Sequence, residues 1–232
     1  MNIAIIPARG GSRRIKKKNI KNFAGKPLIL YSIDAAKSSK LFEKIIVSTD
    51  SSEIAQVAKE ANVEVPFKRP ANLADEYTST FSVIKHSINW IKNNGFSIDH
   101  FCCIYPNPFV TSENLIKAYD LLQKYDVASV IPITTFPYPT QRGVIINNEG
   151  FLEFVSLEHA MARSQDLPEV YHDTGQFYWW DYNQFIKIKN AKEQYQVQRY
   201  PFIIPRHLAQ DLDTPEDWEF AKKLYACIHE KT

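Results

Sequence analysis

The sequence predicts a three-layer α/β protein built on a mostly parallel β-sheet. Three observations lead to this prediction. Short apolar segments typical of buried strands alternate with helical segments whose apolar residues recur every three or four positions. The first of these strands begins almost at the first residue. The alternation continues to residue 133, which predicts right-handed crossover units with helices on both faces of the sheet.

The elements of the first part of the chain follow this alternation. Residues 3–6 predict a buried strand, and a helix follows after a long loop. Residues 45–48 predict a second strand, after which Asp50 is expected to cap a helix because Glu53 stands three residues later. A third short strand is predicted at residues 63–65.

The later elements are marked by helical periodicity and by a terminal cap. Two amphipathic helices have the apolar positions Phe81, Ile84, Ile88 and Ile91, and Leu115, Ala118 and Leu122. They are each followed by a predicted strand, at residues 101–105 and 127–133, and another strand is predicted at residues 201–204. Thr214 and Pro215 then predict the start of a terminal helix.

A β-rich excursion is predicted at about residues 134–176, where the sequence becomes proline-rich and aromatic. Two alternating stretches, residues 143–146 and 151–155, predict a hairpin. We interpret the excursion as an insertion into a single domain that spans residues 1–232.

Composition limits the class of protein. With 232 residues, of which 44% are hydrophobic, the chain can bury a substantial core. The net charge of +2 is too small for a protein whose main partner is nucleic acid. No apolar run approaches the roughly 18 residues of a membrane span, and no leader precedes the first strand. A cytoplasmic protein without a membrane partner is expected, and its three cysteines, which lack metal-site spacing, are expected to pack in the interior.

The loop after the first strand has the composition of a polyphosphate-binding site. Gly10 and Gly11 allow a tight turn with accessible amides, and arginines and lysines crowd residues 9–18. Neither G-x-G-x-x-G nor G-x-x-x-x-G-K-[ST] is present, so a nicotinamide Rossmann site and a P-loop kinase lose their main support. A solvated basic turn and a nucleic-acid patch remain alternatives.

A pair of carboxylates precedes the terminal helix. Asp211 and Asp213 lie two residues apart, so in an extended segment their side chains share a face. Mg²⁺ usually takes one or two carboxylates and completes its coordination with water and substrate phosphates. The alternative is that Asp213 or Thr214 only caps the helix and Asp211 is solvated.

A second polar cluster lies beside the excursion. It runs from Arg163 to Gln176 and includes Asp166 and His172. These residues, with Gln141 and Arg142, are candidates to bind a polyhydroxylated, carboxylated ligand. A surface ion pair and a structural histidine are the alternatives.

Several motifs together resemble a known family. They are Ile-Pro-Ala-Arg-Gly-Gly-Ser at 6–12, Lys-Asn-Ile at 18–20, Gly-Lys-Pro-Leu at 25–28, Val-Ser-Thr-Asp-Ser at 47–51, Val-Pro-Phe-Lys-Arg-Pro at 65–70 and Asp-Leu-Asp-Thr-Pro-Glu-Asp at 211–217. This set is similar to the cytidylyltransferases that activate nonulosonic (sialic-type) acids, over nearly the whole chain. The resemblance implies a nucleotide-diphospho-sugar transferase-type fold and the transfer of CMP from CTP to a free nonulosonic acid, with Mg²⁺ as cofactor and pyrophosphate as the second product.

The resemblance also implies roles for individual residues. The nucleotide would be bound by Ala8, Arg9, Gly10, Gly11, Ser12, Arg13, Lys18, Asn19, Arg69 and Thr80, the last two near cytosine. The metal would be held by Asp211 and Asp213, which with Arg9, Arg13 and Lys18 form the candidate catalytic set. Candidate sugar-binding residues are Tyr105, Gln141, Arg142, Arg163, His172 and Gln176. The sugar's anomeric hydroxyl would attack the α-phosphorus in line, and the protein would mainly position the reactants and stabilise charge.

The motifs around residues 163–179 resemble the branch of the family that uses pseudaminic acid. An arginine stands in the neuraminate enzymes where His172 stands here, which argues against that substrate. Two departures from the family pattern are Lys16, which replaces a common proline, and a turn at residues 105–109 that is one residue shorter and carries Asn107. The excursion resembles the family's dimerisation arm, so a homodimer is expected.

Three alternatives remain open on the sequence. The first is the same chemistry with N-acetylneuraminate, legionaminate or a ketodeoxy sugar acid. The second is a regulatory module that binds CTP without turnover. The third, nucleic-acid binding through residues 13–18, is the least favoured because that stretch has no interleaved aromatic residues.

Overall fold

The structure is a computed structural model that describes residues 1–229, so the last three residues of the predicted domain lie outside it. Its strands are β1 (Asn2–Pro7), β2 (Asn22–Phe23), β3 (Lys26–Pro27), β4 (Lys44–Ser48), β5 (His100–Ile104), β6 (Ser129–Thr135), β7 (Val144–Ile146), β8 (Leu152–Phe154), β9 (Tyr171–Asp173), β10 (Phe177–Asp181) and β11 (Arg199–Ile203). Its α-helices are α1 (Leu28–Ser39), α2 (Ser52–Glu60), α3 (Thr80–Asn93), α4 (Ser112–Lys124), α5 (Tyr182–Phe185) and α6 (Pro215–His229).

The central sheet is mostly parallel, as predicted. Its strand order is β11-β6-β10-β5-β1-β4, and the pairs β11–β6, β5–β1 and β1–β4 are parallel. Strand β10 runs antiparallel between β5 and β6, and β9 pairs with the end of β6. The carboxyl ends of β1, β4, β5 and β6 therefore meet at one edge of the sheet.

Helices cover both faces of the sheet, which gives the predicted three layers. Alternate residues of β1 divide between two apolar clusters: Ala4 and Ile6 face one, Ile3 and Ile5 the other. The first cluster contains the apolar faces of α1, α2 and α4, and the second contains that of α3. The predicted apolar stripes of these helices are buried as the periodicity indicates.

A third apolar cluster joins the two ends of the chain. It places Trp218 and Ala221 of α6 against Phe23 and Leu28, and it also buries Ile15 and Leu212. Trp218 is 2% exposed and Leu212 is 1% exposed. At about 25 cal/mol per Å² of apolar surface buried, such side chains contribute roughly 1.5–3 kcal/mol each. The third cluster thereby holds the N-terminal loop close to the segment that precedes α6.

Three features differ from the sequence predictions. Residues 63–65 form only an isolated bridge, between Ile46 and Glu64, rather than a strand. The cap of α2 is Ser51, whose Oγ accepts from Ile54 N at 3.4 Å, and not Asp50. Strand β10 is not among the predicted elements, because residues 177–179 enter the sequence analysis only as part of the family motif at residues 163–179.

The excursion contains the predicted hairpin. β7 and β8 pair antiparallel, with Val144 opposite Phe154 and Ile146 opposite Leu152. Ile146 and Leu152 are each 74% exposed. No helix within residues 1–229 combines the length and the apolar character that crossing a bilayer requires.

The N-terminal loop is fastened to the end of β4. Gly10 N donates to Asp50 Oδ1 at 2.8 Å, and Ala8 N donates to Ser48 O at 2.9 Å. A Cβ atom added at Gly10 would lie 3.0 Å from Ser51 Cβ, whereas one at Gly11 would meet nothing within 4 Å. Gly10 is thus required for the close approach of two backbones, while neither glycine needs the left-handed conformation. The left-handed residue of this loop is Lys17, with φ of 53°.

We predict that Gly10→Ala lowers the free energy of unfolding by about 1–3 kcal/mol, since the new methyl group pushes the loop away from Ser51. The matched control, Gly11→Ala, is expected to leave stability unchanged or slightly higher. Urea denaturation of both variants measures the difference, and equal stabilities would contradict the assignment of a packing role to Gly10.

Candidate active site

A cavity of about 450 Å³ lies at the carboxyl edge of the sheet, beside the ends of β1 and β5. It brings together most of the predicted nucleotide and metal residues. Those that line it are Arg9, Ser12, Arg13, Lys18, Asn19, Arg69, Thr80, Asp211 and Asp213. The remaining predicted residues do not line the cavity but are chain neighbours of residues that do: Ala8 lies between Pro7 and Arg9, and Gly10 and Gly11 lie between Arg9 and Ser12. Ala8 is fully buried.

The N-terminal loop is held from within by Asn19. This residue is 6% exposed, and its Nδ2 donates to Arg9 O at 2.9 Å. Ser12 N donates to Gly10 O at 3.0 Å, and Gly10 N is engaged by Asp50. Some of the loop's amides are already hydrogen-bonded within the protein. The arginine and lysine side chains are therefore the main groups of the loop that can bind an anion in the cavity.

These cations are paired with acidic groups across the cavity. Arg13 Nη1 lies 3.0 Å from Glu76 Oε2, and Arg14 Nη2 lies 2.8 Å from Asp213 Oδ2. Lys18 Nζ is 3.5 Å from Asp213 Oδ1. Arg13 and Arg14 are largely exposed, so such pairs are worth little and can exchange for a more highly charged anion.

One wall of the cavity is built by buried polar groups. Arg69 is 5% exposed, and its guanidinium donates to Ser48 Oγ at 3.1 Å and to Ser48 O. Burial lowers the pKa of Arg69, and the nearby Asp50 partly opposes that effect. Thr80 Oγ1 is hydrogen-bonded to the Tyr105 hydroxyl, which connects the start of α3 to the end of β5. These contacts make the wall rigid.

The opposite wall carries the two aspartates. Leu212 between them is buried, so Asp211 and Asp213 both face the cavity. Desolvation by the surrounding protein, and next the charge of Asp213, raise the pKa of Asp211, although its surface meets the open cavity. A cation bound between the two carboxylates would relieve this repulsion. Residues 1–229 contain no cluster of three or more His, Cys, Asp or Glu side chains suited to a metal, so other ligands would have to come from substrate and water.

The far end of the cavity includes residues that sequence reasoning did not identify. Tyr178 lines it, and its hydroxyl donates to Asp173 Oδ2 at 2.8 Å. Gly175, with φ of 65°, lies in the turn between β9 and β10, and its N–H donates to Asp173 Oδ1 at 2.8 Å. Burial raises the pKa of both Tyr105 and Tyr178, so these hydroxyls stay protonated at neutral pH. The signal that could have found Tyr178 is its place directly after the polar cluster.

The other missed residues come from the segment after Arg69. Asp75, Glu76 and Thr78 line the cavity, and Arg9 Nη1 donates to Asp75 O at 3.0 Å. Asp75 Oδ1 accepts from Thr78 N at 2.7 Å, which closes a tight turn. No sequence motif marked this turn as part of a site.

The candidate sugar-binding residues are divided by the structure. Tyr105 lines the cavity, whereas Gln141, Arg142, Arg163 and His172 lie on the excursion outside its lining. On the excursion, Gln141 Nε2 donates to Pro168 O at 2.9 Å and Arg163 Nε to Asp166 Oδ2 at 2.7 Å. Gln176 is fully buried, and its Nε2 donates to Leu208 O.

Comparisons with known proteins find relatives that match nearly the whole chain. The chain is 38% identical to a pseudaminic acid cytidylyltransferase of Campylobacter jejuni, over 99% of this chain and 98% of that protein. It is 30% identical to a CMP-N,N'-diacetyllegionaminic acid synthase of Legionella pneumophila, over 96% of this chain and 95% of that one. It is 30% identical to an N-acylneuraminate cytidylyltransferase of Escherichia coli, over 94% of this chain and 51% of that one.

A solved structure shares the fold at low sequence identity. The structure of CMP:2-keto-3-deoxy-manno-octonic acid synthetase complexed with CTP superposes with a TM-score of 0.70 at 15% identity, covering 98% of this chain and 99% of that one. The likeness confirms the predicted nucleotide-sugar transferase type of fold. The family model described as cytidylyltransferase matches residues 3–229. Motifs, fold and full-length relatives agree, and we conclude that this chain belongs to the cytidylyltransferase family.

Proposed function

We propose that this protein transfers CMP from CTP to the anomeric hydroxyl of pseudaminic acid, giving CMP-pseudaminic acid and pyrophosphate. The observation that carries the proposal is the 38% identity, over nearly the full length of both chains, to a pseudaminic acid cytidylyltransferase. The arrangement of the cavity supports it, because a cationic loop faces a pair of carboxylates. CTP is a cytoplasmic metabolite, and we place the enzyme there.

In this proposal the triphosphate lies along the N-terminal loop. Arg9, Arg13 and Lys18 exchange their present partners for phosphate oxygens, which carry more charge than a single carboxylate. Cytosine lies at the wall formed by Arg69 and Thr80. Because Arg69 is already fixed by Ser48, little ordering is required when the base binds.

The chemical step requires one bond to form and one to break. The anomeric hydroxyl gives its proton to solvent as its oxygen bonds to the α-phosphorus, and the bond from that phosphorus to the bridging oxygen of the departing pyrophosphate breaks. Arg13 and Lys18 stabilise the negative charge that grows on that pyrophosphate. Asp211 and Asp213 would hold Mg²⁺, which would neutralise phosphate charge and lower the pKa of the attacking hydroxyl. The raised pKa of Asp211 suits a site that is completed by a cation.

We further propose that the enzyme is a homodimer whose excursion reaches the neighbouring subunit. The hairpin exposes Ile146, Phe151 and Leu152, with exposed fractions of 67–74%, and so presents an apolar patch. In the dimer, Gln141, Arg142, Arg163 and His172 of one subunit would complete the sugar site of the other. Arginine side chains there would pair with the carboxylate of the sugar.

The first prediction for this function concerns substrate choice. With CTP and Mg²⁺, pyrophosphate release is expected to have a kcat/KM at least about tenfold higher for pseudaminic acid than for N-acetylneuraminic, legionaminic or ketodeoxy sugar acids. The relatives that are 30% identical make neuraminic and legionaminic acids the main competing substrates. A preference for one of them would replace the substrate assignment. CTP binding without pyrophosphate release from any acid would indicate the regulatory module instead.

The second prediction concerns Asp211. Asp211→Asn is expected to abolish turnover but not to lower the Tm of the metal-free protein at about pH 7. Folding raises the pKa of this carboxyl, so its protonated form stabilises the folded state. This contribution to stability is lost as the pH rises through the folded-state pKa. The amide of asparagine stays neutral at every pH, so the variant does not lose this stability at pH 7. Its oxygen can still accept the hydrogen bond from Leu212 N. Wild-type turnover in the variant would remove the metal assignment, and a large fall in Tm would indicate a structural role.

The third prediction concerns the hairpin. Leu152→Asp is expected to shift the protein from dimer to monomer in light scattering and to reduce turnover, since a charge is placed in an apolar interface. Ile186→Asp is the control, because Ile186 is 51% exposed but lies outside the excursion. A wild-type protein that is monomeric and fully active would favour a self-packed flap.

A further inference from the structure

The segment that carries the two aspartates lacks a strand or α-helix of its own. Between β11 and α6 the chain contains one 3-10 turn, Arg206–Leu208, and is otherwise irregular. An irregular segment at a cavity edge would be mobile unless its backbone groups were bonded. The position of Asp211 and Asp213 therefore depends on what holds this segment.

Alternate carbonyls of the segment are bonded by side chains from three separate parts of the fold. Gln176 Nε2 donates to Leu208 O, and Asn107 Nδ2 donates to Gln210 O at 2.8 Å. Lys18 Nζ donates to Leu212 O at 2.8 Å. These three bonds hold the segment at residues 208, 210 and 212, next to the two aspartates.

Both amide residues are buried and are used internally. Asn107 is 3% exposed, and its Oδ1 accepts from Phe109 N at 2.9 Å. Both polar atoms of the side chain, Nδ2 and Oδ1, are therefore hydrogen-bonded within the protein at the turn formed by residues 105–109. Gln176 is 0% exposed. This environment places its amide against the backbone of residue 208 and away from direct solvent contact.

One polar atom of the Gln176 side chain is buried at an energetic cost. Its Oε1 has no hydrogen-bond partner within the described part of the chain. An unpartnered buried acceptor costs roughly 1–3 kcal/mol, so an apolar side chain of similar size would be favoured if packing were the only requirement. The bond from Nε2 to Leu208 O is the interaction that requires the amide.

The geometry points to Gln176 and Asn107 as positioning residues that set the two aspartates at the distance and angle needed to hold the divalent cation with CTP. This inference rests on the proposed function and reassigns Gln176 from direct sugar binding. Gln176 lies outside the cavity lining, and although Asn107 lines the cavity, its amide is engaged by Gln210 O and Phe109 N. They act through the carbonyls of Leu208 and Gln210, three residues and one residue before Asp211.

The test compares Gln176→Met with a matched control in the same segment. Gln176→Met keeps the size of the side chain but removes the donor, and it also removes the unpartnered oxygen. Thr134→Val is the control, because Thr134 Oγ1 donates to Ile204 O at 2.8 Å, at the beginning of the segment and seven residues from Asp211. Both variants thus lose one side-chain bond to a carbonyl of this segment.

The first readout is Mn²⁺ binding to the CTP-bound protein without sugar, measured by electron paramagnetic resonance. Gln176→Met is expected to weaken it roughly tenfold or more, the usual effect of losing a residue that orients a metal ligand, with CTP affinity in the absence of metal unchanged. Thr134→Val is expected to keep wild-type Mn²⁺ affinity. Hydrogen exchange of residues 209–213 should become faster in Gln176→Met and remain as in wild type in Thr134→Val.

A second variant guards against misfolding. Asn107→Ser removes the reach to Gln210 O while its hydroxyl can still accept from Phe109 N, and it is expected to weaken Mn²⁺ binding in the same way. Wild-type Mn²⁺ affinity in both Gln176→Met and Asn107→Ser would overturn the inference, and so would equal weakening in Thr134→Val. If the wild-type protein itself holds no more Mn²⁺ than free CTP does, the metal assignment of the proposed function fails, which is a separate result.

Discussion

The site depends on one hydrophobic contact region, the third apolar cluster, in which Ile15 and Leu212 are buried together. Each of these residues is flanked in sequence by charged residues, arginine and lysine around Ile15 and aspartate on both sides of Leu212. Charged groups are rarely buried without partners, so the flanking charges stay outside this cluster, and three of them, Arg14, Asp211 and Asp213, line the cavity. The cationic loop and the dicarboxylate segment consequently face each other.

This arrangement has an electrostatic consequence for the unliganded protein. Opposite charges that are brought together for a ligand pair with one another in its absence, as Arg14 and Lys18 do with Asp213. The pairs are partly exposed and therefore weak, so under the proposed function a triphosphate with its cation would replace both partners. Asp211 differs from these groups, because desolvation and the charge of Asp213 raise its pKa.

The antiparallel strand β10 explains the shape of the cavity's far end. It enters the sheet between β5 and β6 after the excursion, and Gly175, with positive φ, precedes it. Side chains alternate between the two faces of a strand, so Tyr178 lines the cavity while the next residue, Trp179, packs in the core with its Nε1 donating to Leu115 O at 3.1 Å. The chain thus leaves the sheet after β6 and returns to it in β10, beside the site. The exposed hairpin belongs to the segment between these two strands.

The sequence by itself determined the alternation of strands and helices in the first part of the chain, the hairpin, the cationic loop and the aspartate pair, because periodicity and local charge are properties of neighbouring residues. Only the tertiary structure decided that Asp50 binds Gly10 rather than capping α2, that Phe177–Asp181 is an antiparallel central strand, and that Asn107 and Gln176 are directed to carbonyls of the 208–212 segment. Each of these outcomes pairs residues that are between 32 and 103 positions apart. Such pairings arise from the packing of whole layers, and no local pattern specifies which distant partner a polar side chain will meet.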